Sequence, residues 1–570
     1  MMKLRYFLPF LALSATLRTT AAEPPRLVVQ IVVSSMRAED LNRYADNFSD
    51  EGFLRLVRGG TFYPESHYDY LHTSTPVSLA TLTTGANPSV HGIVAERWID
   101  YVNNNVVELI KDRSAMGIDC DAGIGDCSPR NLVAPTLGES LQQSSPKSLV
   151  ATVALDPASA VVAGGYTRNV FWMDAPRANW ITSSFYAETL PVWARKYNLS
   201  REILGYIPFA WELKYPRERY RNSQSTVIDL NKPEHLRRKR HRLTSVEPEK
   251  PAPNGQLLVE VVFSGPHGQR FRLTSVEPEK PAPNVPSGIE RMLYTPSGNA
   301  VTLAFAKQLL TQMRLGKDTA PDLLNICLDA PRRIAESYGP ESIEVEDMYY
   351  RLDEELAQFL NYLYAQIAPE EVVVVLTSDH GTSPSYDAGI VERDRFNAAQ
   401  FQVIVNSFLC AQHGPGEWVV DYEDNNLYLN HTLIYNKGLD LAAIQNEAAT
   451  FAMQFRGVSH ALSSTAMRSS YFGSGYGEKM QNSFYPRRSG DVVVNLMPGC
   501  IEERPDVRSK SGSMYGYDTT VPLVLYGGGI PARRVGRSVD MTSVAPTLAY
   551  LLDIPEPAAS EGTVLEEFRK

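Results

Sequence analysis

Long apolar runs alternate with helical segments along this chain. Near-continuous apolar residues cover 26–33, 322–329, 372–378 and 521–529, and amphipathic stretches lie between and after these runs. Strands buried on both faces have this continuous apolar pattern, and their alternation with helices is typical of a mostly parallel sheet covered on both sides. The pattern predicts an α/β fold with a central, mostly parallel sheet, helices on both faces, and a ligand site at the carboxyl ends of the strands.

Helical spacing is clearest ahead of the third apolar run. Five apolar residues recur there every three or four positions, as on the buried face of a helix: Met348, Leu352, Leu356, Leu360 and Leu363. Near the chain end, "DMTSVAPTLAYLLDI" predicts a last helix, with Asp540 and Thr542 available to cap it.

Two long segments have a different character and are predicted to be insertions into one domain that spans 23–570. The first, about 160–298, is rich in aromatic residues, proline and charge, and it contains "RLTSVEPEKPAPN" twice, at 242–254 and 272–284. These proline-rich copies are typical of exposed connectors. The second, about 390–489, combines the strand-like "QFQVIVNSFLC" with the helix-like "DLAAIQNEAATFAMQF", which predicts a small α+β cap.

The amino terminus has the pattern of a secretory signal. Lys3 and Arg5 precede an apolar stretch, and small residues end at Ala22, which predicts a signal peptide over 1–22. That stretch is too short to cross a bilayer, and no later run is long enough, so no membrane span is expected. We therefore expect an exported protein of the periplasm, the extracellular space or the cell envelope. Its net charge of −10 argues against binding to nucleic acid.

Cysteine usage leaves two alternatives for the loop "CDAGIGDC". The chain has five cysteines, so at least one is not paired within the chain. Cys120 and Cys127 flank two glycines that would let the loop close, which favours a disulfide between them over two free thiols.

The most suggestive chemistry lies at the end of "VVVVLTSDHGT". Asp379 and His380 follow a predicted buried strand, and a carboxylate next to an imidazole is a pair that binds metals. Catalytic zinc sites ordinarily use three protein ligands, so two are too few. Further ligands therefore have to come from elsewhere in the chain.

Seven segments, in order along the chain, carry a resemblance that identifies where those ligands belong. They are "VVQIVVSSMR", "TSTPVSLATLTTGANPSVHGI", "SPRNLVAPTLGESL", "SYGPESIEVEDMYYRLDEELA", "LTSDHG", "GYDTTVPLVLYG" and "TSVAPTLAYLLDIP". Together they resemble the alkaline phosphatase superfamily, in the branch of PafA-type alkaline phosphatases and nucleotide pyrophosphatase/phosphodiesterases. The resemblance implies an alkaline-phosphatase-like fold and a two-zinc site for phosphoryl transfer at a threonine.

The resemblance places Thr75 at the nucleophile position and Asp379 and His380 at two ligand positions of one zinc. The other ligand positions are occupied by residues of the wrong type: Ser34, Arg332, Glu336 and Ser511. The positions of the phosphate-binding side chains are also changed, and none of that set remains: Glu96, Asp156 and Ala158 stand there.

These substitutions argue against a zinc pair. A guanidinium about 4 Å from a dication costs on the order of 8 kcal/mol at an effective dielectric constant of about 20, so zinc would not stay beside Arg332. We therefore interpret Asp379 and His380 as remnant ligands, hydrogen-bonded to neighbours such as Thr75 or Ser34. Thr75 is expected to act as a helix N-cap. Arg332 and Glu336 have the spacing of an i,i+4 ion pair on a short helix.

Three hypotheses follow. The preferred one is an exported, catalytically inactive pseudo-phosphatase without a cofactor, which binds an unidentified envelope protein or ligand or has a structural role. The alternative is a metal-dependent phosphomonoesterase or phosphodiesterase that uses Thr75 and retains zinc at a reduced or rearranged site, with recruited ligands such as Asp329, Glu336 or Asp518. A third class, a module that binds carbohydrate or lipid headgroups through the aromatic insertions, has no specific motif in its support.

Overall fold

A computed structural model describes residues 23–208, 210–222, 258–264, 270–276, 288–385, 395–504 and 507–569. Three segments lie outside the described residues: the predicted signal peptide, the basic segment "HLRRKRHR" at 235–242 and the first "RLTSVEPEKPAPN" copy. Most of the second copy also lies outside them.

An eleven-stranded sheet forms the centre of the molecule. From one edge to the other its strands are Arg533–Arg534, Thr61–His67, Thr520–Gly527, Val372–Thr377, Leu27–Val33, Asp322–Leu328, Val150–Ala154, Val170–Asp174, Asn179–Ser183 and Gly117–Ile118, and Val539–Asp540 pairs beside Thr61–His67. The five strands from Val372–Thr377 to Val170–Asp174 are parallel, whereas Thr520–Gly527 and Asn179–Ser183 pair in antiparallel fashion. The α/β fold with a mostly parallel sheet is therefore confirmed.

The strand Leu27–Val33 lies in the middle of this sheet and is buried along its whole length. Its parallel register sets Leu27 opposite both Asp322 and Val372. Because the three strands run in the same direction, the residues that follow them meet at one edge of the sheet. Successive side chains of a strand point to opposite faces, and here they enter two hydrophobic clusters, one on each face.

Helices cover both faces, as a parallel sheet requires. Those of the main body are Asp40–Arg43, Phe53–Gly59, Thr75–Thr84, Pro88–His91, Leu137–Ser144, Pro157–Gly164, Val192–Ser200, Gly288–Met292, Ser297–Gln312, Ala330–Tyr338, Ile343–Tyr364, Gly516–Thr519 and Val544–Leu551. The predicted long helix is the element Ile343–Tyr364, and the predicted last helix is Val544–Leu551 with Asp540 capping the 3-10 turn before it.

The first predicted insertion begins too early. Val170–Asp174 and Asn179–Ser183 fall inside the predicted span of about 160–298 and yet belong to the central sheet. Their aromatic and polar residues pack as buried strand positions, because Trp172 and Trp180 lie in the two cores. Composition alone therefore misplaced this boundary.

The second insertion has its own small sheet and its own core. The strands Val419–Glu423, Asn426–Leu429, Val492–Leu496 and Val458–Ser463 are adjacent in that order, and helices pack on them around a separate hydrophobic cluster. Its helices are Ala398–His413, His431–Asn436, Leu441–Ala452, Ser464–Ser469 and Gly475–Asn482.

One element of this insertion was predicted as the wrong type. The strand-like "QFQVIVNSFLC" forms the helix Ala398–His413, whose start is capped by the Asn397 side chain. Its buried residues are spaced four apart and so lie on one helical face: Phe401, Val405 and Leu409.

The disulfide predicted between Cys120 and Cys127 is not formed, and both are free thiols. Cys120 Sγ donates a hydrogen bond to the carbonyl oxygen of Ile124, 2.9 Å away, and Cys127 is buried. The loop is therefore closed by hydrogen bonds. Within the described residues, no helix has the length and apolar character that a bilayer crossing needs.

Candidate functional site

Four residues singled out from the sequence meet at the carboxyl edge of the sheet. Asp379 and His380 follow the strand Val372–Thr377, Ser34 follows the neighbouring strand, and Thr75 is the first residue of the helix Thr75–Thr84. All four side chains are buried. The fold therefore brings these four residues together from segments that are far apart in sequence.

Protein donors surround the Asp379 carboxylate. Oδ2 accepts a hydrogen bond of 2.6 Å from Ser34 Oγ, and Oδ1 accepts bonds of 3.1 Å from Ser35 N and 2.8 Å from His380 N. Burial by itself would raise the pKa of Asp379, but His380 and the Ser34 hydroxyl outweigh it and hold that pKa below its ordinary value. The carboxylate is therefore kept ionised by neighbouring side chains and amides.

Backbone geometry at Ser35 supports this arrangement. Ser35 has a φ of 63°, in the left-handed region that non-glycine residues rarely adopt. The turn aims the Ser35 amide at Asp379. The left-handed conformation of Ser35 therefore allows its amide to bond the Asp379 carboxylate.

Thr75 and His380 are in hydrogen-bond contact. Thr75 Oγ1 lies 3.1 Å from His380 Nε2, and the other ring nitrogen, Nδ1, lies 2.6 Å from the carbonyl oxygen of Gly381. A carbonyl can only accept, so Nδ1 carries a hydrogen, and in the neutral ring Nε2 then presents its lone pair toward Thr75. Ser34 Oγ is also close, 3.3 Å from Thr75 Oγ1.

The expected N-cap role of Thr75 is wrong. Ser74 is the N-cap residue, its side chain makes no capping hydrogen bond, and Thr75 is already helical. The Thr75 hydroxyl is thus directed into the site and not to the helix backbone. The predicted contacts of Asp379 with Ser34 and of His380 with Thr75 are both present.

Arg332 occupies the second half of the site, on the helix Ala330–Tyr338. Its guanidinium lies 2.6 Å from Asp156 Oδ2 and 3.4 Å from Glu336 Oε1, the latter being the predicted i,i+4 pair. Arg333 pairs with the second oxygen of Asp156. Burial would raise the pKa of Asp156, but Arg333 and Arg332 hold it below its ordinary value. The Asp156 carboxylate is thus paired with two arginines.

A cavity of about 440 Å³ joins the two halves. Its walls include Thr75, Arg332 and the three residues that the resemblance sets at phosphate-binding positions: Glu96, Asp156 and Ala158. Both charge signs line this cavity, since Arg97 and Glu108 also face it. A ligand would therefore meet internally compensated charge and no strongly positive surface.

Sequence reasoning missed a second group beside Ser511. Lys510 Nζ lies 3.4 Å from both Asp424 Oδ1 and Glu502 Oε2, and it lines a small cavity of about 30 Å³ together with His72 and Ser511. Ser511 Oγ lies 3.4 Å from His380 Nε2. His72 is buried, with 5% of its surface exposed. The signal available in the sequence was the adjacency of Lys510 to Ser511, which the resemblance sets at a ligand position.

The donors present do not fit the zinc pair that the resemblance implies. Among the described residues, no three His, Cys, Asp or Glu side chains are grouped as a metal site would need. The suggested replacements are engaged elsewhere: Asp329 accepts from the amides of Leu155 and Asp156, and Asp518 accepts from Ser513. Burial raises the pKa of both Asp329 and Asp518 to about 7, which disfavours the anionic form that a dication requires.

Comparisons with known proteins bear on the family of this chain. A family model described as type I phosphodiesterase / nucleotide pyrophosphatase matches residues 28–449. Alkaline phosphatase PafA of Elizabethkingia meningoseptica is 26% identical over 561 residues, covering 96% of this chain and 95% of that protein. A protein of Myroides odoratus named calcium-transporting ATPase is 27% identical over 561 residues, covering 97% of this chain and 96% of that protein.

The same fold is found in a solved structure. Wild-type alkaline phosphatase PafA superposes with a TM-score of 0.80 at 24% identity, covering 96% of this chain and 99% of that one. At this identity the likeness establishes the shared fold alone. Taken together, the named relatives favour the alternative of a working phosphatase or phosphodiesterase over the preferred hypothesis of an inactive protein.

Proposed function

Because this chain belongs to the type I phosphodiesterase / nucleotide pyrophosphatase family, within the alkaline phosphatase superfamily, we propose that it is a phosphoric ester hydrolase. Thr75 is its nucleophile, at a centre rearranged from the two-zinc arrangement. Residues 1–22 export it to the periplasm or the wider cell envelope. The named relatives support the class of reaction, and the site geometry supports the residue.

The contact between Thr75 and His380 carries this proposal. Thr75 Oγ1 faces a ring nitrogen whose lone pair is fixed by the 2.6 Å contact of Nδ1 with the Gly381 carbonyl. A hydroxyl beside a base that is itself oriented by a third group is the signature of an activated nucleophile. Thr75 also lines the larger cavity, so a phosphate ester placed there can reach its hydroxyl.

The reaction would proceed in two displacements. Thr75 Oγ1 forms a bond to phosphorus while the bond from phosphorus to the ester oxygen breaks. His380 Nε2 takes the proton of the Thr75 hydroxyl and then gives it to the departing alcohol. Water then cleaves the phosphothreonine ester and releases phosphate or a phosphate monoester. Arg332, on the cavity wall, is a permanent cation available to the phosphoryl oxygens, although Asp156 and Glu336 share its charge.

A second candidate is the inactive pseudo-phosphatase, and the ion pair of Arg332 with Asp156 favours it. That pair at 2.6 Å brings matched charge to one position of a metal ligand and one of a phosphate-binding side chain in the resemblance, and it leaves little net attraction for a phosphate dianion. In this case the fold is retained to bind an envelope protein or ligand.

Turnover of an aryl phosphate monoester and an aryl phosphate diester separates the two candidates. The purified protein is assayed with each ester, after chelation and after addition of zinc, beside Thr75→Ala and Thr75→Ser. For the hydrolase we expect turnover that Thr75→Ala abolishes and Thr75→Ser retains in part, because serine keeps the hydroxyl. The Thr75→Ala protein also controls for contaminating phosphatase.

Two results contradict the hydrolase. One is equal turnover by the wild type and Thr75→Ala, which assigns the activity to a contaminant. The other is no turnover of either ester under any condition while both variants remain folded, which establishes the inactive candidate.

A further inference from the structure

Several positive side chains surround the site, and two of them, Arg332 and Lys510, are called the site cations here. Arg332 lines the larger cavity, whose walls include Thr75, and Lys510 lines the smaller one beside Ser511, which lies 3.4 Å from His380 Nε2. Each lies at, or next to, a position that the family resemblance gives to a metal ligand, since Lys510 directly precedes Ser511.

Each site cation is paired with two carboxylates. Arg332 contacts Asp156 at 2.6 Å and Glu336 at 3.4 Å, and Lys510 contacts Asp424 and Glu502 at 3.4 Å each. The least exposed of these acids are Asp424 and Glu502, whose side chains are 11% exposed. Carboxylates this far from water need a compensating charge.

The two pairs are built on elements that are joined to each other. Ser509 Oγ donates a hydrogen bond to the carbonyl of Ala335, and the Arg508 amide donates to the carbonyl of Glu336, so the Lys510 segment is fixed to the Arg332 helix. The Lys510 amide also donates to Ser383 Oγ, just beyond His380. The cations therefore form one rigid unit with the loop of the site.

We infer that the site cations take the charge-balancing place of the two dications, so that this chain folds and keeps its site geometry without metal. A dication added beside them would be repelled by both, and it would find the four carboxylates already paired. Removal of either cation would weaken the charge balance of these buried carboxylates, which is destabilising, although Asp156 would keep Arg333 and Glu502 would keep Arg504. The inference is independent of whether Thr75 is reactive.

Metal content and thermal melting of the wild-type protein give the first test. We expect substoichiometric zinc by elemental analysis, and a Tm that neither chelation nor added zinc changes beyond measurement error. Stoichiometric zinc together with a Tm that falls on chelation would overturn the inference. Turnover is measured separately. A protein that zinc stabilises and that is active would contradict this inference and would still support the proposed hydrolase function.

Single variants test the role of each cation. Arg332→Gln and Lys510→Gln should each lower the Tm by several degrees, and zinc should restore neither. Arg97→Gln is the matched control, since Arg97 lines the same cavity but is 47% exposed and lies 3.9 Å from Glu423. Equal Tm values for all three variants would contradict the inference.

Restoring the ligand types gives the converse test. A variant with Ser34→Asp, Arg332→Asp, Glu336→His and Ser511→His should bind zinc and gain Tm on its addition, because the cation at one metal position is gone and the donors are back. A folded variant that binds no zinc and whose Tm zinc does not raise would contradict the inference, because the side chains named here would then not determine metal binding.

Discussion

At the scale of single residues, buried acids outside the site also have unusual ionisation. Glu355 lies on the helix Ile343–Tyr364, and its Oε2 atom is buried with no hydrogen-bond partner among the described residues. Burial raises the pKa of Glu355 to about 8, against a smaller opposing effect of Arg351. An acid with a raised folded-state pKa stabilises the fold while it is protonated, and this contribution is lost as pH rises through 8.

Glu355→Gln should therefore flatten the dependence of stability on pH. Between pH 6 and pH 9 we expect the wild type to lose on the order of 1–3 kcal/mol more than the variant, since one pKa unit corresponds to about 1.4 kcal/mol. Thermal melting at both pH values measures the difference. Glu188→Gln, at an exposed position away from this helix, is the control and should retain the wild-type profile. Identical slopes for Glu355→Gln and the wild type would refute the assignment.

At the scale of elements, the helix Leu137–Ser144 begins with a reciprocal capping box. Thr136 Oγ1 accepts a hydrogen bond from the Glu139 amide at 3.4 Å, and the Glu139 carboxylate accepts one from the Thr136 amide at 2.9 Å. Thr136→Ala should cost about 1 kcal/mol of stability, whereas Thr136→Ser should cost less because it keeps the hydroxyl. Chemical denaturation of both variants checks the order, and an equal loss would mean that the methyl group, not the cap, is responsible.

Elements with a strong local pattern could be predicted from the sequence, and those defined by distant partners could not. The strands around 26–33, 322–329, 372–378 and 521–529 are present because each is apolar throughout and buried on both faces. The segment Ala398–His413 was misassigned because a short apolar run is compatible with either a strand or a helix. Its cap at Asn397 and the four-residue spacing of its buried residues favour the helix.

The same distinction applies to the site. Ser34, Thr75, Asp379 and His380 could be identified from motifs because each follows a recognisable strand or begins a helix. Lys510 could not, because its partner Asp424 is 86 positions away and belongs to the second insertion. Which charges become buried together is set by tertiary contacts, and no local pattern records them.

At the scale of the whole molecule, Arg488 joins the second insertion to the main body. Its Nη1 donates to the carbonyl oxygens of Gly92 and Asn131, at 2.5 and 2.6 Å, and the guanidinium stacks 4.9 Å from the Trp98 ring centroid. Arg488→Ala should lower the unfolding free energy by about 2–4 kcal/mol, since two charge-assisted hydrogen bonds and a stacking contact are lost.

Hydrogen exchange locates this effect. We expect faster exchange in Arg488→Ala for the amide hydrogens of the helix Pro88–His91 and the strand Arg97–Asp100. The first ends beside Gly92 and the second contains Trp98, the residues that Arg488 contacts in the main body. Arg468→Ala is the matched control, because the ring contact and the hydrogen bond of Arg468 are with Phe484 and Pro486, inside the insertion. Equal exchange rates for these amides in Arg488→Ala and Arg468→Ala would show that other contacts hold the insertion against the main body.

The position of Leu27–Val33 has a consequence for biosynthesis. Among the described residues this strand is the first to emerge from the ribosome, yet its two neighbours are Asp322–Leu328 and Val372–Thr377. A nascent chain must therefore hold an apolar, unpaired segment while several hundred further residues are made, a situation that slows folding and invites aggregation. Sustained chaperone protection of the newborn amino-terminal region is the natural requirement of this topology.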